Sequence, residues 1–183
     1  MSGLNPGDEI VAVGWAGLDG SVVIAGEKSE RLSQSLPESM IKRVSEDFSE
    51  KIDLSLCKNI ADRVGVTAVY EMGKGGVFGA LWEFGVAYDV GFEVDLKKIP
   101  IRQETIEICE VFDINPYLLR SEGALLMATP KGAVLVDRLA EAGIYATVIG
   151  YVSEKAGRVV KNGDGKRFLE PRHPDELDKV KQM

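Results

Sequence analysis

A chain of 183 residues with 45% hydrophobic side chains can bury a substantial core, and one domain is the expected organisation. Its 29 Asp and Glu against 22 Lys and Arg give a formal charge of −7, which argues against general nucleic-acid binding and against anionic membranes, since both need a positive surface. No run nears the roughly 20 apolar residues of a bilayer span, and the first six residues lack the basic start and apolar stretch of a signal peptide. A soluble, cytoplasmic protein without nucleic-acid or membrane partners is expected.

In chain order, Glu9–Val13 reads as a short strand after a Pro6-Gly7-Asp8 turn. A glycine-rich loop from Gly14 to Gly20 leads into Ser21-Val22-Val23-Ile24-Ala25, read as the start of a helix reaching about Leu36. A strand is the alternative there, because three consecutive residues are β-branched. Pro37-Glu38 opens the next helix, with proline in the first turn and an acid near the positive dipole end. Leu54–Arg63 is a further helix carrying Leu54, Cys57, Ile60 and Ala61 on one face, and Gly65 stops it. Val66–Tyr70 is a strand, Glu71–Gly76 a turn, and Val77–Tyr88 a helix so apolar that burial on every side is expected, Trp82 included.

Gly91–Leu96 alternates as a strand, Pro100 marks the entry to a helix over Arg102–Phe112, and Asn115-Pro116 turns the chain. Ala124–Ala128 is an apolar strand, Gly132–Ala142 a helix, and Tyr145–Ile149 another strand. Arg158–Lys161 and Arg167–Leu169 flank Asn162-Gly163-Asp164-Gly165, a hairpin signal. The pattern gives a mixed α/β domain over residues 1–170, with helices packed on a sheet, and a charged, frayed tail over residues 171–183. Cys57 and Cys109 sit in helical patterns as reduced core residues. With one histidine, His173 in the polar tail, and no paired cysteines, neither a zinc site nor a histidine-based triad is expected.

The segment with most chemistry is the strand–turn–helix over residues 66–88. Gly73, Gly75 and Gly76 allow backbone N–H groups to approach a ligand, and the helix they open directs its positive end into the turn. Lys74 adds a charge for a phosphate. The same glycines equally suit a helix pressed closely under a sheet, and pattern alone leaves both readings open. A P-loop is excluded, because Ala68 stands at its first glycine and no Ser or Thr follows Lys74. A dinucleotide fingerprint is a near miss: Phe78 stands where glycine is required, Gly79 follows one residue late, and Asp95 lies where a ribose-binding acid would.

Several segments, in order, resemble the C-terminal domain of the AIR synthase-related family, including its HypE-like hydrogenase maturation factors. They are Leu4–Val11, Val66–Gly76, Val90–Ile101, Phe112–Pro116 and Ser121–Leu126, followed by the Ile149-Gly150 strand end. The resemblance covers residues 4–152 and implies a layered α/β fold, the PurM-like C-terminal domain, with a mixed sheet covered by helices. It implies an ATP-dependent superfamily in which ATP and Mg²⁺ are held mainly by an N-terminal domain, so this chain alone is expected to hold neither. A nucleotide-binding N-terminal domain or a maturation partner protein is the implied partner, with a homo-oligomer left open.

Carried onto this sequence, the family's glycine turn gives Glu71 as the catalytic candidate. Lys74, Gly75, Gly76 and Glu122 are the phosphate or substrate candidates, and there are no metal ligands. The turn departs from the family pattern: Tyr70 stands where His is common, Glu71 where Asp is usual, Gly73 where Thr or Ser is usual, and Lys74 where an acid or Arg often sits. The last five residues contain no cysteine of the kind that carries a carbamoyl group in the HypE branch. The function implied is a C-terminal domain contributing a glycine-turn cleft, with a degenerate scaffold or partner-binding domain as the alternative.

Overall fold

Among the described residues, seven strands form one mixed sheet. The structure is a computed structural model and describes residues 3–46, 48, 52–171 and 173–183. The strands are β1 (Glu9–Val13), β2 (Ala68–Glu71), β3 (Gly91–Asp95), β4 (Leu125–Thr129), β5 (Ala146–Ser153), β6 (Arg158–Asn162) and β7 (Gly165–Phe168). They lie in the order β2-β4-β1-β5-β3-β6-β7, and every neighbouring pair is antiparallel except β3 and β6. The hairpin expected around Asn162–Gly165 is the β6–β7 pair. Two strands run longer or later than the pattern predicts: β5 continues to Ser153 because its second half pairs with β3, and β2 begins at Ala68.

The central strands are sandwiched. From β1, Ile10 and Ala12 enter one core together with Leu126 and Ala128 of β4, while Val11 and Val13 enter another with Leu125 and Met127. Two-sided burial is why these strands read as continuous apolar runs rather than alternating ones. Helix α5 (Gly76–Ala87) fills the first core with Val77, Phe78, Leu81 and Phe84. Helices α4 (Leu54–Val64) and α7 (Gly132–Glu141) cover the second face through Cys57, Ala61, Leu135 and Leu139. A third core joins α1 (Leu18–Glu27), α2 (Ser29–Leu32), α3 (Glu38–Glu46), α6 (Gln103–Phe112) and α8 (Glu176–Gln182). Both cysteines are free and buried, and burial pushes the Cys109 thiol up to about 12, so it stays protonated at neutral pH.

The structure decides one alternative and corrects three expectations. Residues 22–24 are helical, as first read, and not extended, because Ile24 drops into the third core; packing overrides the β-branched preference. That helix starts at Leu18 and is interrupted at Lys28. It can start early because Gly17 caps it at φ 71° and Gly20 touches the neighbouring segment, where a Cβ would come within 2.5 Å of Leu119. Helix α5 is not buried all round: Val86 is 53% exposed, and Trp82 is only partly buried, its ring covered by the Arg158 guanidinium at 4.5 Å.

The third correction concerns the tail, which is docked rather than frayed. Residues Leu177 and Val180, one turn apart, are buried in the third core, and Asp175 caps the helix by accepting from Leu177 N–H at 2.9 Å. Of its charged residues Asp178, Lys179 and Lys181 are exposed, and the buried Glu176 pairs with Lys179 at 2.8 Å; the ends suit the charges, with Glu176 and Asp178 in the first turn and Lys179 and Lys181 in the last. Deleting residues 171–183 should therefore cost about 3 kcal/mol or more, from two buried aliphatic side chains at about 1.5–3 kcal/mol each. Urea melts of the full and shortened chains measure this; equal midpoints would show that α8 contributes nothing to the fold.

Candidate functional site

The residues after β2 turn sharply so that α5 can begin under the sheet. Gly75 and Gly76 both take left-handed backbone conformations, φ 79° and 63°. A Cβ on Gly76 would come within 2.5 Å of the Tyr117 carbonyl oxygen and 2.7 Å of that of Leu119, so this glycine is required by the 3₁₀ turn at Pro116–Leu118 that crosses the helix start. From the other side, Ser121 N–H donates to the Gly73 carbonyl at 3.1 Å. Ser121 Oγ accepts from Gly17 N–H at 2.8 Å and donates to the Leu119 carbonyl at 3.0 Å. The segment 117–121 thus ties the glycine turn to the start of α1.

The anion acceptor at this turn comes from the chain itself. Asp175, 5% exposed, accepts from Gly75 N–H at 2.7 Å through Oδ2 and from Arg120 N–H at 3.3 Å through Oδ1. One carboxylate therefore caps α8 and occupies the amide of the glycine turn. Gly76 N–H is also engaged, donating to the Gly73 carbonyl at 3.2 Å. Among the candidates, Gly75 and Gly76 are buried, while Lys74 is exposed at the rim.

Glu71 lies elsewhere. Strand alternation sends Ala68 and Tyr70 toward α5, and Val69 to the opposite face with α4. Glu71 follows Val69 and forms an exposed ion pair with Lys58 of α4 at 2.6 Å. Glu122 is exposed on the turn before β4 and belongs to a different feature. It borders a groove of about 620 Å³ at the same end of the sheet, lined also by Trp15, Asp19, Arg102 and Tyr145. The Trp15 and Tyr145 rings stack at 4.3 Å with 10° between planes, and Arg102 lies over Trp15 at 4.6 Å. Asp19 is paired with Arg120 at 2.5 Å.

The structure therefore brings Lys74, Gly75 and Gly76 together, separates Glu71 from them across the sheet, and puts Glu122 on the groove. Sequence reasoning missed Trp15, Arg102, Tyr145 and Asp175. Asp175 carried a signal, an Asp before an acidic first turn and apolar residues three apart; the groove residues come from four distant segments and carried none. The dinucleotide alternative is overturned: β2 has β4 as its antiparallel neighbour, and β4, β1 and β5 lie between it and β3, so the strands flanking α5 are not the adjacent parallel pair of a dinucleotide-binding unit. Asp95 caps its own 3₁₀ turn through Lys97 N–H at 2.9 Å.

Residues 5–162 match the family described as AIR synthase related protein, C-terminal domain. The chain is 26% identical over 161 residues to carbamoyl dehydratase HypE of Rhodobacter capsulatus, covering 85% of this chain and 45% of that protein. It is 27% identical over 164 residues to phosphoribosylformylglycinamidine synthase subunit PurL of Caldanaerobacter subterraneus subsp. tengcongensis, covering 86% of this chain and 21% of PurL. Thus it spans less than half the length of either relative. In fold it matches Escherichia coli HypE with a TM-score of 0.77 at 22% identity, over 98% of this chain and 54% of that one. The same fold occurs in HypE solved in complex with ATP (TM-score 0.70, 17% identity, 96% of this chain and 54% of that one) and in a HypE–HypF complex (0.69, 17%, 93% and 54%).

Removing the carboxylate should expose its role. Asp175→Ala leaves Gly75 N–H buried without an acceptor and uncaps α8, an expected loss of about 1–3 kcal/mol, whereas Asp175→Asn keeps one acceptor oxygen and should lose less. Gly76→Ala should be the most damaging of the three, since its Cβ meets backbone on two sides. Chemical denaturation of the three variants measures the order; a neutral Gly76→Ala would contradict the packing described for this turn.

Proposed function

The chain belongs to the AIR synthase related family through its C-terminal domain, and on that footing we propose that it is the substrate-side domain of an ATP-dependent enzyme of the HypE or PurL kind. ATP and its magnesium are held mainly by a second, nucleotide-binding domain, either in the same protein or in a partner, which faces the end of the sheet that carries the glycine turn and the groove. The observation that carries this reading is the groove itself: an open recess with Arg102 and Glu122 on its wall, beside the turn through which the family resemblance runs.

The described residues do not fit a magnesium–ATP site of their own. Among the described residues no three His, Cys, Asp or Glu come together as metal ligands, and the Gly75 amide already holds Asp175. An anion at Gly75 and Gly76 would have to displace that carboxylate, with Lys74 as the charge at the rim. Within the cleft, Glu122 is the group able to accept or donate a proton to a substrate in the groove. Glu71, paired with Lys58 across the sheet, takes no part.

A second reading, a scaffold without catalysis, draws support from Asp175 closing the turn. A chimera separates the two: the C-terminal half of Rhodobacter capsulatus HypE is replaced by this chain and ATP turnover is measured by phosphate release. The chain alone should release no phosphate above the blank. The chimera should turn over, and Glu122→Gln should lower its turnover by about a hundredfold if the carboxylate moves a proton. A folded, dimly active chimera that is indifferent to Glu122→Gln favours the scaffold; turnover by the chain alone overturns the assignment of ATP to another domain.

A further inference from the structure

The groove contains a cation, Arg102, whose Nε no described residue hydrogen-bonds. Arg102 stands at the entry to α6 with its guanidinium carbon 4.6 Å from the centre of the Trp15 ring and 4.1 Å from that of Phe48. Its Nε is buried and has no hydrogen-bond partner, and among the described residues no carboxylate pairs with it. The neighbouring arginine differs, since Arg120 is tied to Asp19. A guanidinium held between ring faces keeps its planar donor fork in one orientation, and such a fork matches the oxygens of a phosphate or carboxylate.

Beside this fork stands a ring platform. Trp15 and Tyr145 are stacked, and Tyr145 is 48% exposed, which leaves room for a further flat group against it. The groove's volume, about 620 Å³, is in the range of small-molecule sites. Glu122 on the same wall supplies an acceptor for a donor group of the ligand.

We propose that this groove binds a small ring-bearing oxyanion, a phosphate or carboxylate attached to a flat aromatic or heterocyclic ring, with Arg102 holding the charged end and Tyr145 stacking the ring. The proposal deepens the reading of the groove as the substrate side of the cleft and rests on it. It is independent of the glycine turn.

The test is an NMR titration of the full chain with phenyl phosphate, benzoate and inorganic phosphate, following the Trp15 indole N–H, the Tyr145 amide and the Arg102 Nε–H. Phenyl phosphate or benzoate should move all three saturably, and whichever binds more tightly identifies the oxyanion. The ring should improve binding over inorganic phosphate by about tenfold. Tyr145→Ala, at an exposed position, should remove that advantage; Arg102→Gln should abolish saturable shifts, and Arg102→Lys should weaken them, having charge without the fork. Shifts scattered over surface lysines, or binding unchanged in Arg102→Gln, would overturn the site and make Arg102 a packing residue. If Arg102→Gln fails to fold, ring-ligand binding unaltered by Tyr145→Ala overturns it instead. A null titration beside an active chimera removes this ligand class and leaves the domain reading standing.

Discussion

The end of the sheet that carries the glycine turn and the groove depends on one buried carboxylate. Asp175 holds three backbone N–H groups, those of Gly75, Arg120 and Leu177, which belong to the glycine turn, the segment before β4 and the terminal helix. An unsatisfied buried amide is costly, so the Asp175 carboxylate, as the acceptor these three N–H donors share, holds the segments together. The consequence for function is direct. A helix N-terminus that would otherwise attract an anion already has one, bound in cis and backed by the burial of Leu177 and Val180.

With the turn closed, the open chemistry at this end of the sheet moves to the groove. Its wall is built from the loop after β1, the entry to α6, the turn before β4 and the start of β5, brought together because β4, β1 and β5 are adjacent strands. Arg120 belongs to both features: its backbone N–H holds Asp175 and its side chain holds Asp19 on the groove wall. Arg120 is thus the residue that touches both the carboxylate at the turn and an acid of the groove wall.

Much of this architecture was legible in the sequence. The strands β1, β2, β3 and β4, the presence of the apolar helix α5 and the β6–β7 hairpin all follow from apolar runs and turn residues, and the ordered resemblance identified the family. What was misread has physical reasons. A strand's alternation decides that Glu71 faces α4 while Tyr70 faces α5, and a motif comparison that treats the turn as one string does not register that. The tail seemed too charged to fold, yet two apolar residues three apart and an Asp cap suffice when a core is waiting for them. Arg102, Trp15 and Tyr145 meet only through tertiary packing, so no local pattern joins them.

The central claim, that Asp175 closes the amide of the glycine turn, is tested most directly by native-state hydrogen exchange at Gly75. Its N–H is buried and hydrogen-bonded to the carboxylate at 2.7 Å, so it should exchange slowly and only through opening of the terminal helix, in step with the amides of α8 that share that opening. Rapid exchange at Gly75, close to the rate of a free peptide, while the interior of α5 stays protected, would contradict the account and leave the turn open to an external anion.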